Sequence, residues 1–356
     1  MKIIDMEFSE INVPLKKPFN TSVRTVDSLN NIIIKIVTEN GMVGYGEASP
    51  HTFVTGETNG SILAALKYIK HAILGMDMEN FEGLMIKINN CISKNTGAKA
   101  AVDMAVYDLY AQYQNKPLYK ILGGYRNQIE TDVTISLNEV NEMVSDSIDA
   151  VSKGFKTLKI KLGMDHKLDI KRTKEIRNAV GKSIKLRVDA NQGWKPKEAV
   201  KIIREMEDLD LDIELVEQPV YFQDIDGMAF VTRNVHTPIM ADESVHNPID
   251  ALNLIQHRAA DLINIKLIKT GGIYNALKIC TIAEVYGVEC MIGCTNESKI
   301  SISAAAHLAA AKSIITKCDL DSHLFYENDS FDGGPLTNEN KITMVNIPGL
   351  GFKNIF

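Results

Sequence analysis

The chain has 356 residues, of which 45% are hydrophobic and 24% are charged, and its formal net charge is −6. This length exceeds the usual size of one hydrophobic core and predicts two domains. The acidic balance and the lack of a dense Lys/Arg run argue against nucleic acid or an anionic membrane as a partner. Five cysteines, an odd number without CxxC pairing, argue against a disulfide framework or a structural zinc site and favour a reducing cytoplasm.

The first part of the chain predicts an antiparallel sheet followed by helices. Two apolar runs flank the tripeptide Glu39-Asn40-Gly41, which is a hairpin signal. The adjoining GYGEAS nearly matches a dinucleotide-binding fingerprint, but Ser49 stands in its last position and no βαβ unit surrounds it, so we reject that interpretation. Helical periodicity follows at about 60–74, 81–91 and 96–114.

From about residue 131 onward, short β-like runs alternate with helical stretches. Alternation of this kind predicts parallel strands joined by crossover helices. Eight candidate strands favour a closed (β/α) barrel, with chemistry at the C-terminal ends of its strands, and a doubly wound open sheet is the alternative. The eight runs are TDVTISL, TLKIKL, KLRVDA, DIELVEQP, PIMADES, LINIKL, VECMIG and KCDLDS.

Five consecutive candidate strands each end on a charged residue. These residues are Lys161, Asp189, Glu217, Asp242 and Lys266, spaced by 28, 28, 25 and 24 residues, about one βα unit each. Closing the barrel therefore brings three carboxylates together at its mouth, where their mutual repulsion requires either raised pKa values or a cation. Because the ligands are all oxygen atoms, the sequence predicts one Mg²⁺ per subunit, bound by Asp189, Glu217 and Asp242.

The two lysines flank the carboxylates from opposite sides of the barrel. A lysine beside Mg²⁺ and sheltered from water has a lowered pKa and becomes a usable base. Lys161 and Lys266 are therefore predicted to remove or return a proton on opposite faces of a bound carbon. Lys159 shares a strand face with Lys161, and we expect it to hold a substrate carboxylate and to lower the pKa of Lys161.

These residues resemble the enolase superfamily, in its muconate-lactonizing-enzyme-like subgroup, over essentially the whole chain. LKIKLG resembles the K-x-K motif of the family, and NIKLIKTGG resembles its sixth strand with the second lysine. RVDANQGW, VEQPV and MADES resemble its three metal-ligand strands. The resemblance implies a (β/α)₇β barrel at 126–324 and an α+β capping domain at 1–125 that the C-terminal segment 325–356 completes.

The subgroup follows from the seventh strand, which ends MIGCTNES and carries no His. Mandelate-racemase-like members have a His there, so two lysines indicate the lactonizing-like subgroup. That subgroup includes muconate cycloisomerases, o-succinylbenzoate synthases, N-acylamino acid racemases and dipeptide epimerases. All of them use the same carbanion chemistry, so the fold and the bases do not distinguish among them.

The eighth candidate strand places Asp319 and Asp321 on one face, apart from the predicted metal. Two inward acids require a cationic partner, and this D-x-D resembles the dipeptide epimerases, where it holds the amine of the peptide. Arg24 is expected to pair with a substrate carboxylate. The other expected substrate contacts are Thr134, Asn191 and Glu297. Thr295 replaces the Met of many relatives, which leaves the preference for substrate side chains open.

The resemblance therefore implies a Mg²⁺-dependent dipeptide epimerase, an isomerase that carries out 1,1-proton transfer at the α-carbon of the C-terminal residue of dipeptides such as L-Ala-D/L-Glu, through an enolate. Its expected setting is the cytoplasmic recycling of cell-wall peptides, with a homo-oligomer as one possible assembly. The enzymatic alternatives are an N-acylamino acid racemase and an o-succinylbenzoate synthase. A dipeptide-binding or structural barrel is the non-enzymatic alternative.

Overall fold

The computed structural model describes residues 1–21, 25–327, 331–353 and 355. Its N-terminal part is a three-stranded antiparallel sheet covered by helices, as the sequence predicts. The predicted hairpin joins the second and third strands, with Val37 opposite Val43 and with Gly41 at φ +82°. The elements are β1 (Ile3–Asn20), β2 (Thr25–Thr38), β3 (Val43–Ala48), α1 (Asn59–Ile73), α2 (Phe81–Asn90), α3 (Thr96–Tyr113) and α4 (Leu118–Leu122).

The glycines of the GYGEAS segment serve packing. A Cβ atom on Gly46 would lie 1.9 Å from the carbonyl oxygen of Ala101, and one on Gly44 would lie 2.3 Å from that of Ala105. Strand β3 can therefore lie directly on α3 only because these two positions lack side chains. This close approach accounts for the glycine spacing that resembles a nucleotide-binding turn.

The second part is an eight-stranded sheet in which each pair of neighbours runs parallel, so the predicted (β/α) barrel is confirmed. Its strands are β5 (Val133–Ile135), β6 (Thr157–Lys161), β7 (Lys185–Asp189), β8 (Ile213–Glu217), β9 (Ile239–Ala241), β10 (Leu262–Ile265), β11 (Glu289–Gly293) and β12 (Ile315–Asp319). The crossover helices are α5 (Val140–Ser152), α6 (His166–Val180), α7 (Pro196–Asp208), α8 (Ile225–Asn234), α9 (Pro248–Gln256), α10 (Leu267–Thr270), α11 (Ile273–Tyr286) and α12 (Lys299–Ala311).

The barrel closes between its last and first strands. The backbone N–H of Asp132 donates to the carbonyl of Cys318 at 3.2 Å, and that of Leu320 donates to Oγ1 of Thr131 at 2.8 Å. Seven helical connections join the eight strands, and β12 is followed by the 3₁₀ turn Ser322–Leu324. Over the described residues the arrangement is thus (β/α)₇β, a barrel without an eighth α-helix after its last strand.

The C-terminal segment contacts both parts of the molecule. Strands β13 (Leu336–Asn338) and β14 (Lys341–Thr343) form a sheet with β4 (Gln128–Glu130), which immediately precedes the barrel. Further along, the N–H of Leu350 donates to the carboxylate of Asp108 on α3 at 2.8 Å. The segment therefore ties the N-terminal part to the barrel.

The helices of the barrel bury one apolar face each. On α7 the residues Ala199, Ile202, Ile203 and Met206 are buried, a spacing that places them on one side of the helix. Within the described part of the chain, no helix has both the length and the apolar character that a membrane crossing requires.

Candidate active site

A cavity of about 520 Å³ lies between the N-terminal part and the mouth of the barrel. Its roof comes from the end of β1 and from the loop after β3. Its floor and walls come from residues at or beyond the C-terminal ends of the barrel strands. The roof residues are Phe19, Thr21, His51, Thr52, Phe53 and Val54, and the polar floor and wall residues include Thr134, Lys159, Lys161, Asn191, Asp242, Glu243, Lys266, Asp319 and Asp321.

Parallel pairing brings the charged residues to one level, as the sequence spacing predicts. Lys161 lies opposite Asp189 in the pairing of β6 with β7, and Asp189 lies opposite Glu217 in that of β7 with β8. Asp242 and Lys266 follow directly after β9 and β10. All five residues are at most 7% exposed. Because β6 and β10 are four places apart among eight strands, Lys161 and Lys266 approach the cavity from opposite sides.

Each carboxylate at this level is paired with a lysine ammonium. Lys161 Nζ lies 2.7 Å from Oδ2 of Asp189, and Lys266 Nζ lies 2.8 Å from Oδ2 of Asp242. Lys159 lies 3.1 Å from Asp189 and 2.8 Å from Oε2 of Glu217. The floor is thus a buried lattice of alternating charges.

The pKa values follow from this lattice. Burial opposes ionisation of Asp189, but Lys161 and Lys159 lower its pKa to about 2. Burial and the neighbouring Asp189 raise the pKa of Glu217 to about 8. Burial alone would lower the pKa of Lys266, but the nearby carboxylate of Asp242 raises it by more, so the pKa lies above its ordinary value. The sequence-based expectation of a lowered lysine pKa applies to the protein with a bound cation, because the cation competes with the lysines for these carboxylates.

The donor set fits one magnesium ion. The buried groups around the floor comprise four lysines and six carboxyl groups, so that when all ten are ionised the floor has two more negative than positive charges. One divalent cation supplies that charge, and oxygen ligands suit Mg²⁺. The lysines are Lys159, Lys161, Lys266 and Lys269, and the acids are Asp189, Glu217, Asp242, Glu243, Asp319 and Asp321.

A different trio has the tightest ligand geometry. Among residues 1–21, 25–327, 331–353 and 355, only Cys294, Asp319 and Asp321 place three ligand atoms within 4.8 Å of one another. Burial raises the pKa of the Cys294 thiol well above its ordinary value, so it keeps its proton and faces Oδ1 of Asp321 at 3.9 Å. This group therefore lacks the thiolate that a metal requires.

Asp319 and Asp321 line the cavity together, as expected, but they differ in environment. Asp319 accepts a hydrogen bond from Lys159 Nζ at 2.7 Å, and Asp321 accepts one from the backbone N–H of Thr134 at 2.5 Å. Burial and the charge of Asp319 raise the pKa of Asp321 to about 7. Asp319 is linked to one predicted metal ligand through Lys159, whose Nζ also lies 2.8 Å from Oε2 of Glu217.

The remaining predicted substrate contacts are placed unevenly. Asn191 lines the cavity and accepts a hydrogen bond from Lys161 Nζ at 3.1 Å. Glu297 does not line the cavity; its Oε1 accepts from the N–H of Thr295 at 2.7 Å, and its Oε2 accepts from Ser301. This geometry supports a role for Glu297 in orienting Thr295, not a direct substrate contact. Arg24 lies outside the described residues.

Three buried polar residues of the site were not predicted. Asn264 donates to Oε1 of Glu217 at 2.8 Å, Lys269 donates to Oδ1 of Asp242 at 2.5 Å, and Glu243 accepts from Asn191 at 3.2 Å. The sequence offered one signal for them, since each stands within three residues of a predicted ligand or base. Such closeness does not show which way a side chain turns.

The sequence matches known families along most of its length. Residues 3–123 match the mandelate racemase / muconate lactonizing enzyme N-terminal domain, and residues 142–354 match the enolase C-terminal domain-like family. The L-Ala-D/L-Glu epimerase of Clostridium acetobutylicum is 55% identical over 356 residues, which cover 100% of this chain and 99% of that protein.

Solved structures agree with this assignment. The substrate-liganded L-Ala-D/L-Glu epimerase of Bacillus subtilis is 50% identical, with a TM-score of 0.98 over 99% of both chains. The dipeptide epimerase of Enterococcus faecalis, complexed with Mg and L-Leu-L-Tyr, is 44% identical, with a TM-score of 0.97 over 99% of this chain and 100% of that one. The chain therefore belongs to the enolase superfamily, within its mandelate racemase / muconate lactonizing enzyme group.

Proposed function

We propose that the protein is a Mg²⁺-dependent dipeptide epimerase that inverts the α-carbon of the C-terminal residue of dipeptides such as L-Ala-D/L-Glu. The observation that carries this proposal is the pair of buried lysines, Lys161 and Lys266, on opposite sides of one cavity and each beside a carboxylate of the floor. A protein that only bound dipeptides would need no second base. The named activities of relatives at 50% and 55% identity support the same reaction.

The reaction is a proton transfer between two faces of one carbon. A neutral Lys161 removes the α-proton from one face, and the electrons of the C–H bond pass into the adjoining carboxylate. The ammonium of Lys266 then returns a proton to the opposite face, which inverts the centre. Lys266 and Lys161 exchange these roles for the other epimer, so each lysine serves one direction.

The metal ligands in this proposal are Asp189, Glu217 and Asp242. Bound there, Mg²⁺ supplies positive charge beside the substrate carboxylate on which negative charge develops. The three carboxylates are held by neighbouring strands of a rigid barrel, so little reorganisation accompanies the proton transfer.

We propose that Asp319 and Asp321 bind the substrate ammonium, because both line the cavity and, among the residues that the structure describes, only Asp319 has a lysine partner there. Thr134 fixes Asp321 through its backbone N–H, and Asn191 fixes Lys161. Lys159 neutralises the floor between the two carboxylate groups, and contact with a substrate carboxylate remains part of the proposal. Arg24 is proposed to bind the side-chain carboxylate of a C-terminal glutamate.

The proposal extends to the setting of the enzyme. We infer a cytoplasmic protein that recycles cell-wall peptides and does not act on nucleic acid or membranes, and possible homo-oligomer formation belongs to this proposal. We also propose the division into a capping domain, 1–125 with 325–356, and a catalytic barrel, 126–324. The hydrogen bond from the N–H of Leu350 to Asp108 on α3 supports the assignment of that segment to the capping domain.

The test is epimerisation in deuterated water. L-Ala-L-Glu and L-Ala-D-Glu are incubated with the enzyme and Mg²⁺, and NMR follows the α-proton and the diastereomer ratio. We expect both epimers to interconvert with incorporation of deuterium at that carbon. Turnover of N-acylamino acids in preference to free dipeptides would identify a racemase instead, and binding without exchange would identify a non-enzymatic barrel.

Single variants test the two bases. Lys161→Ala and Lys266→Ala should each lose roughly 10²–10⁴-fold in epimerisation, because each removes one general acid–base group. Each variant should still exchange the α-proton of one epimer only, and the two variants should differ in which one. Lys185→Ala, at the outer end of β7 with its side chain 64% exposed, is the matched control. Wild-type turnover in either site variant contradicts the two-base mechanism.

A further inference from the structure

The three carboxylates of the floor share one arrangement. In each, one oxygen faces a lysine at the cavity, and the other oxygen accepts a hydrogen bond from a second donor, which we call the rear donor. The cavity-facing pairs are Lys161 with Asp189 Oδ2, Lys159 with Glu217 Oε2 and Lys266 with Asp242 Oδ2. The rear donors are Asn191 N–H to Asp189 Oδ1 (2.9 Å), Asn264 Nδ2 to Glu217 Oε1 (2.8 Å) and Lys269 Nζ to Asp242 Oδ1 (2.5 Å).

Lys269 differs from the other two rear donors because it is charged. Its side chain is fully buried, and its Nζ donates to Oδ1 and to the carbonyl of Asp242 and, at 3.1 Å, to the carbonyl of Asn264. Three acceptors around one nitrogen require three N–H donors, which only the ammonium form provides. Lys269 does not line the cavity, so neither a substrate nor a solvent molecule there can reach it.

We propose that Lys269 is a positioning residue that confines Asp242 to one cavity-facing oxygen and, through the charge of its ammonium group, weakens the binding of the divalent cation. The inference rests on the proposed function, because it assumes that Asp242 is a metal ligand. The ammonium and the cation share one carboxylate, so they repel each other across it in surroundings that screen charge poorly. When the cation interacts less strongly with Asp242, its positive charge interacts more strongly with the substrate carboxylate.

The direction of the effect distinguishes this role from ordinary structural support. If the residue only stabilises the fold, the protein binds the metal more weakly when that residue is replaced, because the metal ligand Asp242 becomes disordered. If the residue repels the cation, the protein binds the metal more tightly when the charge of that residue is removed and its hydrogen bond is kept. Lys269→Gln meets that condition, since its amide can still donate to Oδ1 of Asp242.

The experiment is a calorimetric Mg²⁺ titration of the wild type and of Lys269→Gln after chelation. We expect Lys269→Gln to bind Mg²⁺ at least about tenfold more tightly, with lower epimerase turnover, because one opposing charge is removed. Asn264→Leu is the matched control, since it removes a neutral rear donor, and it should bind Mg²⁺ no more tightly than the wild type. Electron paramagnetic resonance spectra of Mn²⁺ bound to each variant report whether the geometry of the metal ligands changes.

Lys269→Arg keeps the charge, so a folded Lys269→Arg protein should keep the Mg²⁺ affinity of the wild type within about threefold. Unchanged or weaker Mg²⁺ binding by folded Lys269→Gln overturns the inference. If Lys269→Gln does not fold, a change of much more than threefold in the Mg²⁺ affinity of Lys269→Arg overturns it. Failure of the wild type itself to bind Mg²⁺ would instead overturn the proposed function, so the two failures are distinguishable.

Discussion

At the residue scale, Lys159 connects the two acidic groups of the site. Its single ammonium lies within 3.1 Å of Asp189, Glu217 and Asp319, and its side chain is almost fully buried. The carboxylates raise its pKa above the ordinary value despite burial, so it stays charged. Lys161 and Lys266 each pair with one carboxylate, that of Asp189 and that of Asp242, and approach the cavity from opposite sides. This division assigns neutralisation to Lys159 and proton transfer to the other two.

The acid pair leads to a prediction about the substrate amine. Asp319→Asn and Asp321→Asn should each lower kcat/KM for free dipeptides by about 10- to 150-fold, because a charge-assisted hydrogen bond contributes roughly 1.5–3 kcal/mol. Asp319→Asn should also lower kcat more than Asp321→Asn does, since Asp319 additionally holds Lys159. Steady-state kinetics with free and N-acetylated dipeptides measures both effects, and the exposed Asp208→Asn is the control.

Acetylation of the amine should harm the wild type much more than either variant. Equal turnover of N-acetylated and free dipeptides by the wild type would show that these acids do not bind an ammonium.

At the element scale, the N-terminal part supplies caps for helices of the barrel. Asp103 on α3 accepts hydrogen bonds from the N–H groups of Ile273 and Tyr274, at the start of α11. Glu47 on β3 accepts from Ser298 N–H at 2.7 Å and Ser301 N–H at 3.0 Å, at the start of α12. A buried carboxylate at a helix N-terminus satisfies open N–H groups and favours the helix dipole. The two capped helices, α11 and α12, come after strands β10 and β11, which end next to Lys266 and Cys294 respectively.

A buried histidine joins two further helices and predicts an acid-sensitive contact. Nδ1 of His307 on α12 accepts the N–H of Tyr119 on α4 at 3.0 Å, and burial lowers the pKa of His307 from 6.5 to about 4. The unfolded chain takes up this proton first, so the free energy of unfolding falls as pH drops from 6.5 towards 4. At about 1.4 kcal/mol per pKa unit, the loss is roughly 3 kcal/mol.

Urea unfolding at several pH values measures this loss. His307→Asn keeps an acceptor for Tyr119 but cannot be protonated, so its unfolding free energy should fall by roughly 3 kcal/mol less than that of the wild type between pH 6.5 and 4. Parallel pH profiles of the two proteins would show that His307 is not responsible.

At the scale of the whole molecule, the capped helices and the C-terminal segment join the N-terminal part to the barrel, so we expect the two to unfold together. The only tryptophan, Trp194, lies buried after β7 and donates to Asp169 at 3.1 Å, so its fluorescence reports on the barrel. Far-UV circular dichroism reports on both parts. The two signals should give the same urea midpoint, and Glu47→Ala should shift both by the same amount. A dichroism transition that precedes the fluorescence change would show that the N-terminal part unfolds alone.

The sequence predicted the barrel, its strand ends and the charged floor, because the βα period alone fixes which residues share a level. It did not predict Lys269, since the strand period stops at Ile265 and the four-residue helix α10 turns this side chain back beneath Asp242. The orientation of Glu297 was equally inaccessible, because its loop turns the carboxylate towards Ser301. Side-chain direction in such loops depends on contacts with distant segments, which strand and helix periodicity do not encode.

The separate origins of the roof and floor have a consequence for evolution. Roof residues such as Phe53, which is 63% exposed, can be exchanged at little cost to stability, since surface substitutions usually change it by less than about 0.5 kcal/mol. A change in the floor leaves a buried charge unpaired, at a cost of about 3–5 kcal/mol. Natural selection can therefore alter which peptides enter while the reaction itself stays constant, and new substrate preferences should arise from substitutions in the roof.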